Sequence, residues 1–220
     1  MKADLHTHSS HSGDSPQSVE QLLEACRARG IGVVAITDHN SLRGSEDALR
    51  LKLPGLIIVP AMEVTSADGH ILAYNISEAV PRNRSAAETI DLIHDRGGIA
   101  VAAHPFRFWS GLGADVIRAN RFDALETMNG RNTDRSNRRG QLLAVELDLP
   151  TTGGSDAHRP ELVGSAFCDF PSDCTDADAI VASLMRKNVR LGGHGRLFRE
   201  TFRYGIKAIG QWGARGFRRL

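Results

Sequence analysis

Histidine and carboxylate recur along this chain in short, closely spaced sets. The stretch DLHTHSSHSGD, residues 4–14, holds His6, His8 and His11 with Asp4 and Asp14. ITDH brings Asp38 and His39, AMEV brings Glu63, GHIL brings His70, AAHP brings His104, and GGSDAH brings Asp156 and His158. Imidazole nitrogen and carboxylate oxygen, with no cysteine among them, are the donors of Zn, Mn or Fe rather than of an all-oxygen Mg or Ca site. In His6–His8 and Asp156–His158 the partners are two residues apart. Such positions on an extended segment project to one side, so each pair can grip one ion or two adjacent ions. Rival chemistries lack their residues: GGSD is not the G-x-S-x-G elbow, and no G-x-x-x-x-G-K-[ST] phosphate loop occurs.

Residues so distant in sequence must be brought together by the fold. Short β-branched runs alternate with amphipathic stretches, the signature of βα units on a mostly parallel sheet. Strands are expected at MKADLHTH, IGVVAITDH, LIIVPAMEV, HILAYNI (a candidate neighbour of the run before it), GIAVAAHP, FDALETMN and TTGGSDAH, with a short NVRL last. Helices are expected over 16–29, with Pro16 in the first turn and Gly30 as its stop, and over 45–52, 85–96, 134–146 and 176–187. About seven strands in alternation with helices fit a small, distorted α/β barrel. His6 and His8, then Asp38–His39, Glu63, His104, and Asp156 with His158 fall at successive strand ends. In parallel α/β architectures those ends share one face, and sites are built there. His11, His94 and His194 are set aside as border, helix and loop residues. Gly153–Gly154 are expected to let the backbone pass close to its neighbours beneath the metals.

The 220 residues suffice for one sizeable core, and 41% hydrophobic with 24% charged residues exclude a disordered or collagen-like chain. No apolar run approaches the roughly 18 residues of a membrane span, and the N-terminus lacks the apolar segment of a secretory signal, so a cytoplasmic location is expected. Cys26, Cys168 and Cys174 have no CxxC spacing and read as reduced structural thiols. Charge is uneven: residues 196–220 hold seven Lys/Arg and Glu200 as their only acid, so the remaining chain is acidic, which suits cation ligands.

The ordered set DLHTHSSHSGDSP, AITDHN, PAMEVT, HILAY, AAHP and GGSDAH resembles the motifs of the polymerase-and-histidinol-phosphatase (PHP) family, from Asp4 to about Leu191. The resemblance implies a distorted (β/α)7 barrel with its metal site at the C-terminal ends of the strands, two or three divalent ions, and phosphoester hydrolysis. One ion would be held by His6, His8, Glu63 and Asp156, with Glu63 bridging to a second that takes His70 and His104. A third would take Asp14, His39 and His158. A metal-bridging hydroxide would attack the phosphoester, with Glu63 and Asp156 as ligands in the catalytic set. Asp38 would orient a ligand histidine through its second nitrogen or act on a proton in flight.

Phosphate oxygens suit the planar fork of arginine, and Arg107, Arg131 and Arg159 lie on expected loops near the metal face, with Asn129 and Asn132 as further candidates. The interval between His104 and Asp156 leaves little room for a separate lid, so the substrate is expected to be a small phosphomonoester or to bind in an open cleft. Histidinol phosphate, a nucleotide and other phosphomonoesters all remain open. Two rival readings stand beside it: a phosphodiesterase or nuclease on short oligonucleotides, and a non-catalytic metal-stabilised binding or regulatory module. Residues 1–195 are expected to form one barrel domain. Residues 196–220 are a basic amphipathic tail that packs its aromatics on the barrel or contacts an anionic surface.

Overall fold

The computed structural model describes residues 1–196. Apart from Arg196, the basic tail lies outside the described residues. In chain order the strands are β1 (Lys2–Thr7), β2 (Ile31–Ile36), β3 (Ile57–Thr65), β4 (His70–Tyr74), β5 (Ile99–Ala102), β6 (Ala124–Asn129), β7 (Thr151–Gly154), β8 (Ala166–Asp169) and β9 (Arg190–Gly193). The helices are α1 (Val19–Ala28), α2 (Arg43–Leu51), α3 (Ala86–His94), α4 (Gly113–Ala119), α5 (Asp134–Glu146) and α6 (Ala177–Met185).

Local chemistry sets the helix starts. Ser18 and Gln21 form a reciprocal capping box at α1, so the helix begins after Pro16 rather than on it, and Gly30 at φ 67° ends it. Ser85 and Glu88 repeat the device at α3, while Thr133 and Asp176 cap α5 and α6. Helix α4 begins on Gly113 after Leu112 and has no side-chain cap, which is why no start signal marks it in the sequence.

The strands form one sheet in the order β7-β6-β5-β4-β3-β2-β1-β8-β9. The sheet nearly closes on itself where the exit of edge strand β7 reaches the end of β1: Thr7 bridges Ala157 in parallel, Asp156 donates its backbone N–H to the His6 carbonyl (2.7 Å), and His8 donates to that of Ala157 (3.0 Å). The result is an α/β fold with a nearly closed, barrel-like sheet. Nine strands, rather than about seven, are present among the described residues. Four of their pairings are parallel and four antiparallel, which corrects the mostly parallel expectation. Antiparallel neighbours need no crossover helix, so β8, four residues long, leaves no βα signal in the sequence, while β9 takes up the expected NVRL run two residues further on.

Alternate residues Val33 and Ala35, Val59 and Ala61, Leu72 and Tyr74, and Val101 and Ala103 fill the barrel interior together with Ala3 and Leu5. Other faces pack under the helices, with Leu22, Leu23, Val34 and Ile36 together on one side and Ile71, Ile90, Ile93 and Leu125 on another. The barrel filling ends where Glu63 continues the Val59–Ala61 alternation at the mouth. The pairing of β1 with β2 slips between Asp4 and Thr7, an irregularity of the bulge type. Leu5 and His6, consecutive residues, thereby both reach the interior that Ala61 and Glu63 line.

Gly154 carries β7 past His6 so closely that a Cβ there would overlap the backbone nitrogen and Cβ of His6. Gly154→Ala is therefore expected to destabilise the fold by about 1–3 kcal/mol. Gly140→Ala, in the middle of α5 with its nearest neighbour at an ordinary 3.5 Å, should stabilise by roughly 0.5–1 kcal/mol. Thermal denaturation of the two variants reads the opposite signs; equal shifts would refute the close-approach reading of Gly154.

Candidate metal centre

Nine residues converge at the mouth of the barrel: His6, His8, Asp14, His39, Glu63, His70, His104, Asp156 and His158. Their donor atoms fall into four overlapping groups, within each of which the atoms lie no more than 4.8 Å apart: His8–Asp14–His39–His158, His6–His104–Asp156, His6–His8–Glu63 and His39–Glu63–His70. Glu63 is the hub. Its Oε1 lies 2.8 Å from both His70 Nδ1 and His104 Nε2, and its Oε2 lies 3.4 Å from His6 Nε2, 3.3 Å from His8 Nε2 and 3.2 Å from His39 Nδ1. Burial pushes this carboxyl up, but the imidazoles of His70, His39 and His6 and the hydrogen bond from His104 outweigh it and hold it well below the usual range.

The topology explains the convergence. Glu63 lies inside β3, which runs on to Thr65 rather than ending at the glutamate, and its backbone bridges that of His39 on the parallel side. His70 opens β4, which is antiparallel to β3, so the start of one strand lies beside the end of the other, with Thr65 opposite His70. His104 and Asp156 sit two residues past β5 and β7 and adopt φ 29° and 53°; Asn40, past β2, adopts 55°. Positive φ at non-glycine residues is uncommon and costs of order 1–3 kcal/mol, and here two of the three carry candidate ligands.

The donor chemistry fits a cation. Glu126 only accepts, so His6 donates through Nδ1 to Glu126 Oε1 (2.8 Å), which leaves Nε2, facing His8 Nε2 at 3.1 Å, as the ring nitrogen that can reach a cation. His8 Nδ1 is in turn engaged with Ser12 Oγ at 3.0 Å. Two imidazole nitrogens and Glu63 Oε2 thus converge, an arrangement that a metal ion satisfies. His104 Nδ1 is buried without a hydrogen-bond partner, and burial with the Arg107 charge lowers the His104 pKa to about 3, leaving the ring in the neutral form that coordinates.

Sequence reasoning missed the residues that hold these side chains. Glu126 on β6 grips His6 through one oxygen and accepts the His104 backbone N–H on the other (2.7 Å), while Asn129 Nδ2 donates to both oxygens. The run FDALETMN also holds Asp123, Thr127 and Asn129, so no local signal singled out Glu126. Asp38 departs from its expected role. It does not touch a ligand ring; both its oxygens accept from Ser9, one from the backbone N–H and one from Oγ, each at 2.6 Å. Asp4 does the same for Ser155 (2.8 and 2.6 Å). Ser9 follows His8 and Ser155 precedes Asp156, so each aspartate clasps the backbone beside a candidate ligand. Burial raises both carboxyls, Asp4 to about 6.

Burial grades across the centre. His6, His8, Glu63, His104 and Asp156 are buried, whereas Asp14, His39, His70 and His158 are partly open to solvent. Asp14 Oδ2 lies 2.8 Å from His158 Nε2 and 3.6 Å from His39 Nε2. Of the three candidate arginines, two reach the centre: Arg107 Nη2 is 2.6 Å from Asp156 Oδ2 and Arg131 Nη1 is 3.2 Å from Oδ1. Arg107 is held by Asn129 and Asn132. Burial raises the Asp156 carboxyl, but Arg107, His6 and Arg131 pull it well below the ordinary range. Arg159 is exposed, and none of the centre's ion pairs reaches it. His11 pairs with Asp47 and His94 with Asp123, away from the cluster, and His194 contacts the carbonyl of Gly195.

Comparison with known proteins identifies the family. The PHP domain model matches residues 4–100 and the PHP-associated model residues 134–189. An uncharacterized protein of Methanocaldococcus jannaschii, MJ1587, is 35% identical over 162 residues, covering 68% of this chain and 94% of that one. The chain belongs to the PHP family. Among solved structures, a two-domain protein from Bacteroides vulgatus, described as containing a PHP-like metal-dependent phosphoesterase, aligns with TM-score 0.71 at 16% identity, over 88% of this chain and 65% of that one. A lesion-specific endonuclease from Pyrococcus furiosus aligns with TM-score 0.69 at 18% identity, over 86% of this chain and 57% of that one. At these identities the two structures speak for the fold, which is that of PHP-like metal-dependent phosphoesterases. No helix among the described residues is long and apolar enough to cross a membrane.

Because Glu126 must accept from both His6 and His104, Glu126→Gln puts an amide donor against one of them. Metal affinity, measured by competition with a chromogenic chelator, should fall about 10–100-fold with the fold retained. Unchanged affinity would remove Glu126 from the centre.

Proposed function

We propose that this PHP-family chain hydrolyses a phosphate ester, in its simplest form a small phosphomonoester, with two or three divalent ions of the Zn, Mn or Fe class held by His6, His8, Asp14, His39, Glu63, His70, His104, Asp156 and His158. The observation that carries this reading is Glu63: one carboxylate whose two oxygens face separate sets of imidazole nitrogens, the disposition of a bridging ligand. Ions bound there would supply Lewis acidity, lowering the pKa of water and neutralising charge on phosphate oxygens.

The remaining work falls to the chain's own residues. Arg107 commits Nε and Nη2 to Asn132, Asn129 and Asp156, which fixes its guanidinium at the mouth while Nη1 stays outside those bonds. A guanidinium so held suits a non-bridging phosphate oxygen without the entropy of ordering a long side chain. Arg131, beside Asp156 and His158, adds a second positive charge on the same side. Asp38 and Asp4 keep the His8 and Asp156 backbones in place and are positioning residues. The cysteines are buried and free, and none belongs to the candidate ligand groups, so the reaction needs no thiol nucleophile.

Phosphate release from a panel of phosphomonoesters and short oligonucleotides, with protein loaded with Mn or Zn, tests the reading. Glu63→Gln and His8→Ala should each lower release at least about 100-fold, since removing a ligand costs no less than removing its support. Metal content by elemental analysis accompanies the assay. Full occupancy with no release from any substrate would favour the non-catalytic module instead.

A further inference from the structure

Two aromatic side chains stand out of the surface beside the metal centre. Phe108 and Trp109, 85% and 84% exposed, are the most exposed large apolar side chains among the described residues, and their rings meet edge to face with centroids 4.6 Å apart. Leaving two such rings in water is unfavourable by the area rule, so their exposure calls for an explanation. A loosely held loop does not supply it. Arg107 N–H donates to His104 O (2.9 Å), Gly111 N–H to Arg107 O (3.0 Å) and Gly113 N–H to Pro105 O (2.9 Å). The turn is wound so tightly that a Cβ on Gly111 would lie 2.6 Å from the carbonyl oxygens of Pro105 and Arg107.

The loop is also tied to the centre on both sides of the pair. Arg107, immediately before it, bonds Asp156, and Ser110, immediately after it, accepts the backbone N–H of His70 at 2.9 Å. Trp109 is two residues from Arg107, so at most about 7 Å of backbone separates the rings from the arginine that faces Asp156. A further cation borders the same loop: the Arg139 guanidinium, from α5, lies 4.1 Å from the centre of the Phe106 ring.

We infer that Phe108 and Trp109 are a stacking platform for the base of a nucleoside phosphate whose phosphate enters the metal centre. The inference rests on the phosphoester reading above and names its substrate class. An exposed π surface made of two rings set edge to face, beside guanidinium groups and a candidate phosphate site, matches a ligand that joins a planar ring to a phosphate through one sugar. Stacking of this kind tolerates any base. An apolar protein partner would bring no phosphate to the arginines and would cover the mouth. The base can belong to a free mononucleotide or to the end of a strand.

Trp109 reports on its own occupancy. The chain has two tryptophans, so Trp212→Phe leaves Trp109 as the sole indole fluorophore. In that background, with Mn present, AMP should quench Trp109 emission and ribose 5-phosphate should not. Phe108→Ala should move the AMP midpoint about tenfold higher. The platform is overturned if ribose 5-phosphate and AMP act alike, or if Phe108→Ala leaves the midpoint in place. A 5′-phosphorylated tetranucleotide separates the sources: a midpoint well below that of AMP supports a strand end, and an equal one supports a mononucleotide. In turnover, the ratio of kcat/KM for AMP over that for ribose 5-phosphate should drop about tenfold in Trp109→Ala, chiefly through KM, and be kept in Trp109→Phe. Quenching without phosphate release from any substrate would sink the hydrolase reading while sustaining the platform; release without base-dependent quenching would do the reverse.

Discussion

A carboxylate buried at the mouth of a barrel is the constraint on which the rest of this structure depends. An isolated ionised carboxylate is strongly disfavoured away from water and survives only when paired and hydrogen-bonded. Glu63 meets that demand with imidazoles drawn from β1 and its exit, the end of β2, the start of β4 and the end of β5. The polar cluster therefore closes the barrel from above, while the alternating apolar residues of the same strands fill it from below. Removing the glutamate charge would leave those rings converging on one another.

Around that hub, positioning is delegated outward in layers. Glu126 determines the tautomer of His6 and steadies the backbone of His104; Asn129 steadies Glu126 and receives Arg107; Arg107 reaches Asp156. On either side the aspartate–serine clasps hold the loops that carry His8 and Asp156. A chain of fixed charges and hydrogen bonds of this kind keeps donor atoms in place before any ion arrives, and preorganisation is what makes electrostatic stabilisation effective. The loop after His104 extends the same scaffold to the surface, so Phe108 and Trp109 are displayed from a turn that backbone hydrogen bonds to His104, Pro105 and Arg107 hold.

Much of this was legible in the chain. The HxH and DxH pairs, their strand-end placement and the acidic body pointed to metal chemistry without cysteine, and α5 runs over the residues its pattern indicates. What stayed hidden has physical reasons. Asp38 looked like a partner for a ligand histidine, but it lies past the end of β2, where strand periodicity no longer sets side-chain direction, and the carboxylate found Ser9 instead. Glu126 sat in a segment that read as a plain buried strand, and nothing local distinguishes a glutamate that supports a ligand from one facing solvent. Arg159 shared the loop position of Arg107 and Arg131, yet its side chain points to water.

Residue type and spacing by themselves determined the family, the α/β class and the donor atoms, because these follow from side-chain chemistry and from the short-range periodicity of strands and helices. Only the tertiary structure decided which donors meet. That depended on β4 and β8 running antiparallel, on the slip in β1 that turns His6 inward beside Leu5, and on the left-handed backbone at His104 and Asp156. Each arises from contacts between segments far apart in the chain, where register and side-chain direction are fixed by what packs opposite rather than by the local sequence.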